Sequence, residues 1–217
     1  MSSTIAVVDY GMGNLRSVAK ALEHVADKHQ KVLITSSPAE IAAASHVVFP
    51  GQGAARDCMH ELRNYELIEP VLHAAHNKPF LGICMGLQVL MTHSEENAGV
   101  DCMNLFPGEV RFFAPKLVAA NAAELKIPHM GWNNVEQTRA HPLWQGIEQN
   151  SRFYFVHSYF VDPEDTQLAI GHTRYGIEFT SAIAYANVFA VQFHPEKSAH
   201  DGLRLLQNFA HWDGQQS

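Results

Sequence analysis

An α/β fold, with an open and mainly parallel sheet flanked by helices, is predicted by three observations. The first half of the chain alternates short apolar runs with helical patterns. Its apolar runs end in glycine-bearing loops, at Gly11-Met12-Gly13-Asn14, Pro50-Gly51-Gln52-Gly53 and Gly82-Ile83-Cys84-Met85-Gly86. The second half trades helices for short strands and brief turns, which predicts a smaller antiparallel layer.

The elements follow in order. Residues 5–10 form a strand and residues 15–26 show helical periodicity; 31–34 is a second strand and 38–44 a short helix. Residues 46–49 form the third strand, with helix from Ala54 onward. Residues 78–84 read as a buried strand, after which Leu87, Leu90 and Met91 recur at helical spacing. Residues 109–113, 133–135, 152–160, 168–171 and 181–185 are the short strands of the second half. A last strand at 188–193 ends at His194-Pro195-Glu196, and a helix over 202–211 closes the chain. In parallel sheets of this kind, sites form at the loops beyond the strand ends.

A chain of 217 residues, 47% hydrophobic and 17% charged, can bury a full core, and no Pro/Gly/Ser linker divides it, so one domain spanning 1–217 is expected. Three cysteines at irregular spacing, none in a C-x-x-C pair, predict free thiols in a reducing compartment. Cys58 and Cys102 read as core residues. No apolar run has membrane-spanning length, and no charged-then-apolar leader stands at Met1-Ser2-Ser3-Thr4; a cytoplasmic protein is expected. A net charge of −7 without a basic run argues against nucleic acid as a partner. The fourteen histidines are scattered, with no ligand spacing, so no metal site is expected.

Chemistry concentrates at Cys84. A tight strand-to-helix turn forces its central residue into strained backbone angles and lifts the side chain clear of the sheet, which requires small neighbours such as Gly82 and Gly86. A helix N-terminus with a cation nearby would favour the thiolate. His194 is the candidate base and proton donor: strand alternation sets it with Gln192 on the face opposite Phe193 and Val191. Pro195 biases His194 toward an extended backbone, so Glu196 projects on the same side to orient the ring. Pro50-Gly51-Gln52-Gly53 follows a strand and precedes a helix, which suits N–H groups aimed at an oxyanion, with the N–H of Met85 as the second donor. Taken singly, each of the last two segments is also an ordinary strand end. Only together do they point to acyl transfer.

With Gly82-Ile83-Cys84-Met85-Gly86, His194-Pro195-Glu196 and the Pro-Gly-x-Gly segment in this order, the chain resembles the class I (triad-type) glutamine amidotransferases over nearly its whole length. Within that family it is similar to the glutaminase subunits of histidine biosynthesis. Three segments carry this: residues 9–15, residues 153–159 and, most specific, Lys126-Ile127-Pro128-His129-Met130-Gly131-Trp132-Asn133.

The resemblance implies a flavodoxin-like fold, no cofactor, and a Cys84-His194-Glu196 triad that converts glutamine to glutamate and ammonia through a thioester. It implies an oxyanion hole at Gln52, Gly53 and Met85. Gln88 and Glu96 would hold the amino-acid end of glutamine, and the backbone of Ser158 and Tyr159 its carboxylate. The ammonia would pass to a (β/α)-barrel cyclase subunit, in a heterodimer, to form imidazole glycerol phosphate and aminoimidazole carboxamide ribotide. Asn14, His129, Met130, Trp132 and Lys197 match positions at that partner interface, with His129 and Met130 also buttressing the oxyanion segment. The bland reading of Trp132 is a packed core aromatic. Two departures stand out: Gln52, where this group commonly has valine, and residues 116–125, which look like a variable insertion. The alternatives are a glutaminase serving vitamin B6, purine or anthranilate synthesis, and a catalytically idle regulatory relative.

Overall fold

The computed structural model describes residues 3–122 and 124–215. Its first half runs β1 (Ser3–Val8), α1 (Leu15–Val25), β2 (Gln30–Thr35), α2 (Pro38–Ala43), β3 (His46–Gly51), α3 (Ala55–Asn64), α4 (Ile68–Asn77), β4 (Phe80–Cys84) and α5 (Met85–Gln88). Local chemistry sets these boundaries. The Ser37 hydroxyl accepts from the Glu40 N–H and Pro38 occupies the first turn, so α2 begins there. The helical run after Ala54 divides into α3 and α4 at Glu66, whose φ is +55°.

The second half contains β5 (His93–Ser94), β6 (Val100–Asp101), β7 (Gly108–Phe112), α6 (Phe113–Ala119), β8 (His129–Asn134), β9 (Glu136–Gln137), β10 (Arg152–His157), β11 (Tyr159–Pro163), β12 (Ala169–Tyr175), β13 (Ile177–Tyr185), β14 (Val188–Val191) and α7 (Ala199–His211). Most of the antiparallel strands continue the parallel sheet. The order is β2-β1-β3-β4-β14-β13-β11-β7-β5-β6, with β12 on β13 and β9 on β12. Strands β2 to β14 along that order are parallel, and β14 against β13 begins the antiparallel part. Among the described residues, β8 and β10 form a separate, two-stranded sheet.

The inner parallel strands β1, β3, β4 and β14 are buried on both faces, which is why they read as apolar runs, whereas β2 at the sheet edge is only partly buried. Ile5 and Val7 pack with Val48, Leu81, Ile83, Phe189 and Val191 on one side. Ala6 and Val8 pack with Val47, Phe49, Phe80 and Ala190 on the other. Helices α1 and α7 contribute Leu22, Leu205 and Phe209 to the first face, while α2 and α3 contribute Ile41, Met59 and Leu62 to the second.

Two expectations are corrected. The helix after Cys84 is one turn long and does not reach Leu90 and Met91. The carbonyls of Val89, Leu90 and Met91 accept instead from the N–H groups of Met103, Leu105, Phe106 and Asn104, so a crossing loop takes the bonds a longer helix would need. Residues 152–160 are two strands in two sheets, β10 and β11, separated at Ser158. Residues 116–125 include the end of α6, where Leu117 and Ala122 pack into the core against Gly176.

Candidate active site

Strand register places the strand-to-helix turn at Cys84. Parallel pairing of β3 with β4 sets Gly51 beside Cys84. Cys84 has φ +56° and ψ −108°, a conformation that costs a non-glycine residue on the order of 1–3 kcal/mol and that the surrounding packing must impose. The small neighbours are required by contact: a Cβ on Gly86 would run into the carbonyl of Phe49, and one on Gly82 would lie 2.9 Å from the Ala190 Cβ. Gly51 is equally constrained, since a Cβ there would meet the Tyr10 hydroxyl.

His194 reaches the same place from the far end of β14. Its N–H donates to the Tyr154 carbonyl at 2.9 Å, its carbonyl accepts from the Ser198 hydroxyl at 2.6 Å, and that hydroxyl in turn accepts from the Tyr154 N–H at 2.9 Å. Nδ1 donates to Glu196 Oε1 at 2.9 Å, with the two side chains 2% and 1% exposed. This bond fixes the tautomer and presents Nε2 to the cavity, where it has no hydrogen-bond partner among the described residues. Burial by itself lowers the basicity of His194. The charge of Cys84 and the bond to Glu196 outweigh it and raise the pKa to about 10.

These groups line a cavity of about 430 Å³ with Gln52, Gly53, Met85, Gln88, Glu96, Pro128, His157, Ser158, Tyr159 and Lys197. That volume suits a single amino acid. Gln88 is buried, and its Nε2 donates to the Tyr159 carbonyl at 3.2 Å and to Gln192 Oε1 at 3.0 Å. With both donors committed, it offers a ligand only its carbonyl oxygen. Glu96 Oε2 accepts from the Ala55 N–H at 2.6 Å, at the start of α3; burial raises its pKa. Tyr10 donates to the Pro50 carbonyl at 2.9 Å from beneath the Pro-Gly-Gln-Gly segment.

The sequence matches the family described as glutamine amidotransferase class-I over residues 6–212. The chain belongs to the class I glutamine amidotransferases. Relatives of this family member include the imidazole glycerol phosphate synthase subunit HisH of Aromatoleum aromaticum, 59% identical over 97% of this chain and 99% of the relative. The protein of the same name from Hydrogenovibrio crunogenus is 56% identical over 97% of both. Solved structures share the fold at low identity: a glutamine amidotransferase with TM-score 0.68 and 15% identity, covering 94% of this chain and 96% of that one. The PurLQS structure from Thermotoga maritima has TM-score 0.66 and 16% identity, covering 96% of this chain and 98% of that one.

In this amidotransferase the sequence-expected residues fall into two groups. Cys84, His194, Gln52, Gly53, Met85, Gln88, Glu96, Ser158, Tyr159 and Lys197 all line the one cavity, with Glu196 directly behind His194. Asn14, Met130, Trp132 and His129 lie outside it. Met130 and Trp132 are 62% and 44% exposed on β8, so the reading of Trp132 as a core aromatic fails. Trp132 and Lys197 both approach the Tyr154 ring, at 6.2 Å between centroids and 5.9 Å from Nζ. His129 requires correction: strand alternation turns it inward, 3% exposed, away from the surface that Met130 and Trp132 present. Nor does it bond to the oxyanion segment. Its Nδ1 donates to His157 Nε2 at 2.9 Å, and His157 Nδ1 donates to the Tyr159 carbonyl at 2.7 Å.

Sequence reasoning passed over Tyr10, Tyr154, His157 and Gln192 as site residues. Tyr10, Tyr154 and His157 stood inside the segments that carried the family resemblance, and Gln192 shared the strand face of His194. That alternation was the one usable signal for Gln192.

Proposed function

We propose that this chain is the glutaminase subunit of imidazole glycerol phosphate synthase, with Cys84, His194 and Glu196 as its triad. The observation that carries the chemistry is the buried His194–Glu196 pair, whose unpartnered Nε2 lines the same cavity as the strained Cys84. The name shared by relatives at 56–59% identity supports the acceptor, ahead of vitamin B6, purine or anthranilate synthesis.

The Cys84 thiolate attacks the side-chain amide carbon of glutamine. The resulting oxyanion is held by N–H groups of Gly53 and Met85, each such donor contributing roughly 3–4 kcal/mol in other enzymes. His194 Nε2 protonates the amide nitrogen, the C–N bond breaks, and ammonia leaves a glutamyl thioester. Water then loses a proton to His194 and attacks the thioester, releasing glutamate and restoring the thiolate–imidazolium pair. Glu196 keeps the ring in one tautomer throughout. The oxygen of Gln88 and the carboxylate of Glu96 receive the α-ammonium of glutamine, and the backbone at Ser158 and Tyr159 its α-carboxylate.

Ammonia is delivered to a (β/α)-barrel cyclase subunit that docks on the face bearing Asn14, Met130, Trp132 and Lys197, forming a heterodimer. An exposed methionine and tryptophan on adjacent outward positions of one strand support that docking face. The protein works as one domain in the cytoplasm; the sheet continuous through both halves supports the single unit. Among the described residues no helix is long and apolar enough to cross a membrane. The deciding experiment is a coupled assay for imidazole glycerol phosphate with glutamine and the cyclase subunit. Glutamine-dependent product is expected, and glutamine hydrolysis without transfer to that acceptor would overturn the assignment.

A further inference from the structure

We propose that Gln192 is a catalytic residue that donates an amide N–H to the Cys84 thiolate, and that Gln88 locks it in that orientation. The proposal rests on the reading of Cys84 as the nucleophile. Gln192 is fully buried, its backbone N–H donates to the Ser181 carbonyl at 2.9 Å, and its Nε2 lies 3.7 Å from the Cys84 sulfur, within range for a sulfur acceptor.

The orientation of this amide follows from a chain anchored on backbone. The Tyr159 carbonyl can only accept, so the Gln88 side chain must turn its NH2 group toward it. The second proton of that NH2 group needs an acceptor, and Gln192 Oε1 lies 3.0 Å away. Gln192 must then present its own NH2 group to the sulfur. Reversing either amide would set donor against donor or acceptor against acceptor inside the core, which costs more than the bonds are worth.

The sulfur needs such a donor. Cys84 is 7% exposed, and the helix behind it is a single turn, too short to build up much of a dipole. The ionisable groups facing it are His194 with Glu196 behind, Tyr10 below, and His157, Glu96 and Lys197 across the cavity. Tyr10 and His157 are held uncharged by burial, and Glu96 repels a thiolate. Lys197 is turned to the Tyr154 ring, its Nζ 5.9 Å from the centroid, so near the sulfur that leaves His194, which gives up its proton during each turnover, and Gln192, which does not. A permanent neutral donor keeps the sulfur a good leaving group when water attacks the thioester, at the moment His194 is occupied with the water proton.

The test is the pH dependence of Cys84 alkylation by iodoacetamide in the full chain, with the adduct located by peptide mass. Cys58 and Cys102 will not compete near neutrality, because burial pushes both up to about 12. Gln192→Glu keeps the shape and the acceptor for Gln88 but replaces the donor by a carboxylate. It is expected to raise the alkylation midpoint by about one pH unit or more, a tenfold loss of thiolate, and to lower kcat about tenfold with little change in KM for glutamine. Gln192→Met, which keeps the bulk and removes the donor, should move the midpoint less in the same direction, and decides the matter should the glutamate variant fold poorly. An unshifted midpoint in a folded variant would overturn the role of Gln192. A parent Cys84 alkylated no faster than Cys58 and Cys102 would overturn the nucleophile reading itself, a separate result.

Discussion

The two walls of the cavity are held in different ways. On the triad wall, His194 is bonded through its N–H, its carbonyl and its Nδ1, and Cys84 is wedged between glycines that admit no larger residue. On the facing wall, Pro50 and Gly51 end β3 with the Tyr10 hydroxyl on the Pro50 carbonyl, Gln52 and Gly53 continue beyond the strand, and the Glu96 loop is held by its carboxylate on the Ala55 N–H and by Arg56 on the Asn97 carbonyl. The facing wall also carries left-handed backbone at Gly53, Asn97 and Ala98. Packed glycines and buried ion pairs have one arrangement; single side-chain contacts on loops are easily exchanged. The Cys84–His194–Glu196 side is therefore fixed by packing and buried bonds, while Gln52, Gly53 and the Glu96 loop rely more on side-chain contacts.

The comparison breaks most sharply at the sulfur. Cys84→Ala should reduce glutamine-dependent synthesis by at least about 10³-fold while synthesis from added ammonium salts survives, as measured in the coupled assay. Loss of both would mean the triad wall also shapes the partner. Glu196→Gln should lower kcat by about 10²–10⁴-fold with KM for glutamine nearly unchanged, because it disturbs only the ring tautomer and its charge. A comparable rise in KM would show that the triad wall also binds substrate.

Acid should loosen the molecule before it alters the triad. Burial lowers His129 and His141 to about 4 and His157 to about 3, against 6.5 for the free side chain. Below pH 6.5 the unfolded chain takes up protons that the folded chain refuses, so stability is lost as pH falls from about 6.5 toward 4. Each group contributes about 2 kcal/mol of that loss by pH 5, readable as a falling Tm. His194 has the opposite sign: its raised pKa favours the fold at low pH, and this contribution fades as pH climbs through about 10. An acid limb that is flat between pH 7 and 5 would contradict the buried, neutral histidines.

The smallest effect should sharpen the contrast between walls. Tyr10→Phe removes the donor to the Pro50 carbonyl and should cost about 1–3 kcal/mol of stability by urea unfolding. Glutamine turnover should change severalfold while the rate of Cys84 alkylation stays the same, since the triad wall is untouched. A changed alkylation rate would show the two walls to be coupled through Gly51.

Much of this was legible beforehand for a physical reason. The parallel half declares itself because a strand buried on both faces must be apolar throughout, and its turns must carry glycine where backbones touch. The second half was harder. Residues 152–160 look like one strand by composition, and only the change of pairing partner at Ser158 divides them. Residues 116–125 gave no helix signal because α6 is short and is held by packing under Gly176.

By itself the sequence determined the strand-to-helix turn at Cys84 with its flanking Gly82 and Gly86, and the pairing of His194 with Glu196, because each is written in residues close together in the chain. Tertiary structure decided the inward turn of His129, the one-turn length of α5, and the Tyr10 and Gln192 contacts. Those depend on groups 13 to 108 residues apart, from Met91 with Asn104 to Gln192 with Cys84, whose meeting is settled by sheet order and register rather than by any local pattern.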